Sequence, residues 1–411
     1  MKNNQVLILL CANLGKSDNF KPFNNSDIYK IINKLKIKGN ELSDLYGKSI
    51  EELKEMFFDN NVLTEIENNF IYRINSLLLR EANIAISMID IKKWGIDIIT
   101  IYDELYPQKI KNIMGEKSPA LLYYCGDLKI LENNFIGFSG SRIKKTDKGD
   151  EIITKQWANF ACDNKFGIVA GGASGVDTFA VQEAIAKNAC FVEFVANSMI
   201  ERIRIPQISS MIQYGKGLIL SEANPFAPFN VGMAMSRNKY IYMISKYTIV
   251  IKAVYTLKNG KKTGGTWNGA IENLKSKYKR VLVFNDGKTI GNKELIDLGA
   301  IAISAPEDEV SRNIILGDTS NYNKEKKVES VEVANEEDKE LILILKKPET
   351  LAEIKLTKKE QEDLPKIKLE IEKVTNSFEE LNLNKKLIEK LKRFCMEQKA
   401  KSKQLSIFDI M

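Results

Sequence analysis

From residue 1 to about residue 90 the apolar positions recur at helical spacing: Ile28, Ile31, Ile32 and Leu35, then Leu53, Met56 and Phe57, then Ile71, Ile74, Leu77 and Leu78. Polar breaks such as Asn24-Asn25-Ser26-Asp27 offer helix N-caps between them. This pattern predicts a small all-helical domain over 1–94. Gly95 to Tyr102 then switches to a β-rich run, followed by Tyr106-Pro107. From about 118 to 303 short apolar runs alternate with longer amphipathic stretches. The runs Phe135–Phe138, Ile168–Ala170, Cys190–Val195, Leu218–Leu220, Thr248–Ile251 and Val281–Phe284 read as strands. Glu151–Cys162, Val176–Asn188, Met233–Ser245 and Thr266–Lys275 read as the helices between them. Such alternation predicts parallel βαβ crossovers, hence an α/β, doubly wound, mostly parallel sheet spanning 95–304. Residues 305–340 are rich in Asp, Glu, Lys, Asn and Ser and read as a solvated linker. Leu341–Leu345 and the helically spaced Ile367–Met396 predict a mainly helical C-terminal extension over 341–411.

Composition narrows the chemistry. The 411 residues suffice for two or three domains, and 44% hydrophobic content supports a sizeable core. Lys+Arg 61 against Asp+Glu 54 gives +7, which permits a nucleic-acid partner without demonstrating one. The histidine count of 0 removes the usual general base, the Ser-His and Cys-His pairs and the commonest zinc ligand. Any enzyme reading must therefore run on carboxylates, Lys, Tyr or Cys; the expectation is no catalytic residue, no metal ligand and no cofactor. Cys11, Cys125, Cys162, Cys190 and Cys395 are scattered with no CxxC pair, which predicts free thiols in a reducing compartment. The apolar stretch Val6 to Ala12 is too short to span a bilayer. It ends in Leu9-Leu10-Cys11, but a lipoprotein signal would need a small residue before the cysteine and more basic character than Lys2. A first helix of a cytoplasmic protein with no membrane contact fits better.

Three glycine-bearing junctions carry the candidate chemistry. The first predicted strand of the alternating region runs into Ser139-Gly140-Ser141-Arg142, where Gly140 permits a tight approach, Ser141 and nearby amides can cradle a phosphate, and Arg142 can grip it bidentately. The plain alternative is a βα turn with a solvated arginine. The second strand ends in Gly171-Gly172-Ala173-Ser174-Gly175-Val176-Asp177, which again exposes amides at a helix start where the dipole favours an anion. The alternative there is a tight turn built for helix–sheet packing. It is not a GxGxxG with a downstream ribose-binding acid, so a dinucleotide cofactor is poorly supported. Ser236-Arg237-Asn238-Lys239 is expected at the start of a helix, where cations oppose the dipole and so hint at a bound anion. Gly264-Gly265-Thr266-Trp267 opens another helix, and Trp267 either packs in the core or stacks a base, the core reading being favoured.

The ordered set Gly95-Ile96, Tyr106-Pro107, Pro119-Ala120-Leu121-Leu122-Tyr123, Gly126, Gly140-Ser141-Arg142, Gly171 to Asp177, Ser221-Glu222, Ser236 to Lys239, Gly264 to Ala270 and Gly291 to Ile296, then Gly299-Ala300, resembles the DNA-processing protein A (DprA/Smf) family over about 95 to 303. The resemblance implies a Rossmann-like core behind a small helical domain. It also implies a homodimer that binds single-stranded DNA, protects it, and hands it to a RecA-type recombinase during DNA uptake. On that match Gly140, Ser141 and Arg142 form the phosphate pocket. Gly171, Gly172, Ser174, Gly175, the Arg237–Asn238–Lys239 stretch and Gly264, Gly265 and Thr266 line the DNA path. The chain departs from the family where Ser174 replaces a usual basic residue, where Thr178-Phe179-Ala180 replaces Ala-His, and where Lys252-Ala253 replaces Glu-Ala at a strand end.

At the terminus, Gln404-Leu405-Ser406-Ile407-Phe408 resembles the Q-L-x-L-F peptide that binds the sliding clamp, following the basic stretch Lys399 to Lys403. An apolar tail docked on its own domain is the alternative. For the core, two other readings stay open: a nucleotide phosphoribohydrolase-like enzyme using Gly264-Gly265-Thr266, Glu272 and Glu222, and a nucleotide sensor using the same pocket without turnover. The departures and the long extension also fit a specialised defence paralogue.

Overall fold

The alternation of buried apolar runs with amphipathic stretches produces one large sheet in the computed structural model, which describes residues 1–15, 20–59, 62–141, 148–197, 199–228, 230–258, 260–276, 280–317, 391, 393 and 394. In chain order the strands are β1 (Asp97–Thr100), β2 (Leu121–Gly126), β3 (Phe135–Gly140), β4 (Gly167–Ala170), β5 (Phe191–Phe194) and β6 (Gly217–Ser221). They continue with β7 (Tyr247–Lys252), β8 (Thr256–Lys258), β9 (Lys261–Thr263), β10 (Arg280–Phe284) and β11 (Ile301–Ile303). Among the described residues nine of these form one sheet in the order β1-β2-β6-β5-β4-β3-β7-β10-β11, and β8 and β9 form a separate hairpin.

From β6 to β11 every neighbouring pair is parallel, while β1 and β2 join antiparallel at the β6 edge. The expected doubly wound sheet is thus observed. β4, β5 and β6 are buried along their whole length, which requires helices on both faces and explains why they read as continuous apolar runs rather than alternating ones. The strand order reverses between β3 and β7, so the carboxyl ends of these two strands flank the topological switch point, where open α/β sheets place ligands.

The N-terminal helices Asn3–Cys11, Asn25–Ile37, Ile50–Phe57, Glu65–Leu78 and Glu81–Lys92 match the predicted helical segment. Capping boxes at Ser49/Glu52 and Thr64/Glu67 start two of them. The buried guanidinium of Arg80 donates to the carbonyls of Leu9, Ala12 and Leu14 at 2.8, 2.8 and 3.1 Å, satisfying groups that the first helix leaves open at its end. Asn25 ties this segment to the sheet: its Oδ1 accepts from the Ala120 amide at 2.9 Å and its Nδ2 donates to Glu222 Oε1 at 3.2 Å.

Met1–Leu316 is one compact unit, and Gly317–Met411 is a second. Within the segment read as linker, Glu309–Leu316 instead form a helix, with Ile314 and Ile315 buried. Its few apolar residues are diluted by the polar composition of the longer window, which hid it from a compositional reading. Residues 318–340 of the linker, the helical extension and the tail Gln404–Phe408 lie outside the described residues, apart from Leu391, Arg393 and Phe394, which are helical. No described helix is long and apolar enough to cross a membrane.

Candidate nucleic-acid interface

At the switch point the end of β3 is stapled to the end of β7. The Ser141 amide donates to the Lys252 carbonyl at 2.7 Å, and the Ser141 hydroxyl accepts from the Val254 amide at 2.8 Å. The hydroxyl keeps its own proton and a second lone pair for a further partner. Gly140 packs so closely on Val176, the first residue of the helix Val176–Ala186, that a Cβ there would overlap the valine side chain. The first glycine motif therefore lays the β3 terminus against the start of the helix Val176–Ala186. Arg142 lies outside the described residues.

The second glycine loop departs from expectation. The Gly171 and Ala173 amides donate to Asp177 Oδ2 at 2.9 and 3.3 Å, so an internal carboxylate occupies amide donors that the sequence reading offered to an external anion. Asp177 is buried, and Arg237 Nη1 lies 3.6 Å from it while donating to the Phe194 carbonyl at 3.0 Å. A Cβ on Gly171 would fall inside the Arg237 guanidinium. Beside them Glu193 is fully buried and receives Arg202 Nε at 3.0 Å and Nη2 at 2.5 Å. Burial pushes both carboxyl groups above their ordinary range, and the two arginines oppose that shift. Thr178, one of the departures from the family pattern, closes the loop by donating to the Ala173 carbonyl at 2.8 Å.

Ser236 to Lys239 is not at a helix start. The helix runs Val231–Ile244, because the Asn230 side chain caps it by accepting from the Met233 amide at 3.1 Å, placing the four residues in its middle turns. The helix dipole therefore gives no reason for an anion at these residues. Arg237 turns inward to the glycine loop, Asn238 Nδ2 donates to the Gly265 carbonyl at 3.0 Å, and the Lys239 ammonium lies 5.1 Å from the ring centre of Tyr240. One helix thus holds two glycine loops in place. Gly264 approaches the Val254 carbonyl too closely for a side chain, and Gly265 and Thr266 begin the helix Gly265–Ser276. Trp267 is buried in the core with Tyr242, Val250 and Val283, which settles its two readings in favour of packing.

Two motif residues prove structural. Asn292 is buried; its Oδ1 accepts from the Ala253 amide and its Nδ2 donates to the carbonyls of Ile251 and Phe284, each at 2.8 Å, locking the ends of β7 and β10 together. Lys252, where the family carries an acid, pairs with Asp150 at 2.8 Å and holds the Asp286 carboxyl lower through its charge, a contribution smaller than that of the Thr289 and Lys288 hydrogen bonds. Glu222 is held by Asn25, and Glu272 is exposed on its helix. Of the thiols, burial pushes Cys125 up to about 11 and Cys162 up to about 12, which keeps them protonated and unreactive.

The hairpin β8–β9 was missed by the sequence reading. Its signal is the Asn259-Gly260 pair between Thr256-Leu257-Lys258 and Lys261-Lys262-Thr263. The structure therefore gathers Gly140–Ser141, Gly171–Gly175, Lys252–Val254, the hairpin and Gly264–Thr266 at the carboxyl edge of the sheet.

Residues 97–313 match the family described as DNA recombination-mediator protein A. Among solved structures, the chain is similar to DNA processing protein A from Streptococcus pneumoniae, with 18% identity, 76% of this chain and 98% of that chain covered, and a TM-score of 0.53. It is also similar to DNA processing protein A from Helicobacter pylori, a structure described for its single-stranded DNA binding mode, with 24% identity, 54% and 96% coverage and a TM-score of 0.42. A molybdenum cofactor carrier protein from Chlamydomonas reinhardtii aligns at 15% identity, 42% and 89% coverage and a TM-score of 0.29. No curated protein matches the chain.

Proposed function

Because the chain belongs to the DNA recombination-mediator protein A family, a DNA-processing family, we propose that it binds single-stranded DNA without turnover at the carboxyl edge of its Rossmann-like sheet. The observation that carries this reading is the convergence of Gly140–Ser141, the Gly171–Gly175 loop, Lys252–Val254 and Gly264–Thr266 at the β3/β7 switch point. The Ser141 hydroxyl, together with Arg142, contacts phosphate; Gly172, Ser174, Gly175 and Lys239 line the path. Arg237 acts at one remove, by holding the loop that contains Gly171. The charged groups beneath the edge support binding rather than catalysis. Asp177 and Glu193 are each matched with an arginine and Glu222 accepts from Asn25, which fits a structural role for these carboxylates.

In the cell the protein works as a cytoplasmic homodimer that protects the strand and delivers it to a RecA-type recombinase. The tail Gln404–Phe408 tethers it to the sliding clamp. A labelled single-stranded oligonucleotide read by fluorescence anisotropy across a salt series tests the core of this reading. Micromolar or tighter affinity is expected, falling with salt, and Arg142→Ala should weaken it about tenfold through loss of a phosphate contact. Absence of binding, or binding indifferent to both salt and Arg142, contradicts it and favours the phosphoribohydrolase-like or sensor readings.

A further inference from the structure

Between the end of β7 and the helix Gly265–Ser276 the chain leaves the sheet as the hairpin β8–β9, with its base fixed beside Ser141 through the Val254 amide and through Gly264 packed on the Val254 carbonyl. Its register pairs Thr256 with Thr263, Leu257 with Lys262 and Lys258 with Lys261. Side chains alternate between the two faces of such a ribbon. Lys262 turns toward the body, where its ammonium pairs with Glu294 at 2.5 Å and lies 4.8 Å from the Tyr255 ring centre and 5.4 Å from that of Trp267. Alternation then places Lys258, Lys261, Thr256 and Thr263 together on the opposite face. Both lysines are exposed, and neither pairs with a carboxylate among the described residues.

Two like charges directly opposite each other in a ladder oppose the pairing that brings them together. At the tip of a hairpin with only three paired positions, that repulsion is carried by a very small element. An anion lying across the Lys258–Lys261 pair would convert it from a cost into a site. The hairpin is also placed where such an anion would arrive, since its base adjoins the β3/β7 switch point.

We propose that the hairpin Thr256–Thr263 is a second backbone contact for nucleic acid, with Lys258 and Lys261 bridging phosphodiester oxygens of a strand that continues outward from the Ser141 loop. This rests on the single-stranded DNA reading above and extends it to a site on a separate element. The two threonine hydroxyls, whose oxygens lie 3.3 Å apart, supply a polar floor to the same face. Exposed Leu257 lies on the other face beside Lys262 and takes no part.

The test uses the full chain and a labelled oligothymidylate, comparing wild type, Arg142→Ala, the pair Lys258→Ala/Lys261→Ala and the pair Lys258→Arg/Lys261→Arg. Two lost phosphate contacts should lower affinity about tenfold at low salt and flatten the log–log salt slope by about 1.4, at roughly 0.7 per contact on a single strand. The arginine pair should retain wild-type affinity and slope, and the alanine pair should have a thermal midpoint equal to or above that of wild type, because it removes a repulsion. If wild type binds, Arg142→Ala weakens it and the alanine pair leaves affinity and slope unchanged, the hairpin site is wrong while the DNA reading stands. If the alanine pair binds weakly only because its thermal midpoint falls, the hairpin is a structural element and the proposal is likewise overturned. If wild type binds no single strand, both readings fall together.

Discussion

Gly171 has no room for a side chain because the guanidinium of Arg237 occupies the space a Cβ would take. That single overlap changes the meaning of a motif. A glycine at a strand-to-helix junction invites the idea of a ligand approaching the backbone, yet here the approaching cation belongs to the protein and pairs with Asp177, which itself holds the Gly171 and Ala173 amides. Gly171→Ala should displace Arg237 from a buried pair and cost about 3 kcal/mol of stability, the order expected when one partner of such a pair is lost. In an Arg237→Ala background the same substitution should cost about 1 kcal/mol or less, a coupling measurable by urea unfolding of the four proteins of a double-mutant cycle. Equal costs in both backgrounds would remove Arg237 as the reason for the glycine. Sequence inspection could not reach this result, since Asp177 and Arg237 are far apart along the chain and nothing local to either names the other.

Among the elements, those buried on both faces were the most legible. β4, β5 and β6 announce themselves as apolar runs because helices cover both sides, and their observed limits agree with the expected ones to within a residue or two. The hairpin β8–β9 was lost for the opposite reason: its strands are short and largely exposed, so no burial pattern forms, and only the Asn259-Gly260 turn signal marks it. The helix Val231–Ile244 was found, but its start was set two residues late; the Asn230 side chain caps it. Asn292 shows how a motif residue can serve neighbouring elements rather than a ligand. Its buried amide joins the ends of β7 and β10 by three hydrogen bonds, so Asn292→Ala leaves an amide and two carbonyls without that partner. A loss of about 3 kcal/mol is expected, from about 1 kcal/mol or more per unsatisfied buried group. Thermal or urea unfolding would check it, and a change under about 0.5 kcal/mol would show that the strand ends are held by other contacts.

For the whole molecule, the modest net charge of +7 hides a strong local arrangement. Beneath the sheet edge the charges are matched internally: Asp177 with Arg237, Glu193 with Arg202, Lys252 with Asp150. Cations that remain available for a partner, such as Lys258 and Lys261, sit further out on the hairpin. The fold class and the order of the glycine motifs were legible because each recurs at a strand end, a position that alternation of runs reveals. The division between residues that build the edge and residues that face a ligand was not, because it depends on which way side chains turn after the chain has folded.

Whether this edge holds a polymer strand or a single nucleotide is decided by a competition measurement. Labelled oligothymidylate bound to the 411-residue chain would be challenged with unlabelled oligothymidylate, a matching duplex and a nucleoside monophosphate at fixed low salt. If the edge holds a strand, the unlabelled single strand displaces the probe at micromolar concentration, the duplex does so less well, and the monophosphate has no effect at millimolar concentration, because a lone phosphate reaches only one of the contacts spread from Ser141 to the hairpin. Displacement by the monophosphate at micromolar concentration would contradict the strand reading and make the edge a nucleotide pocket.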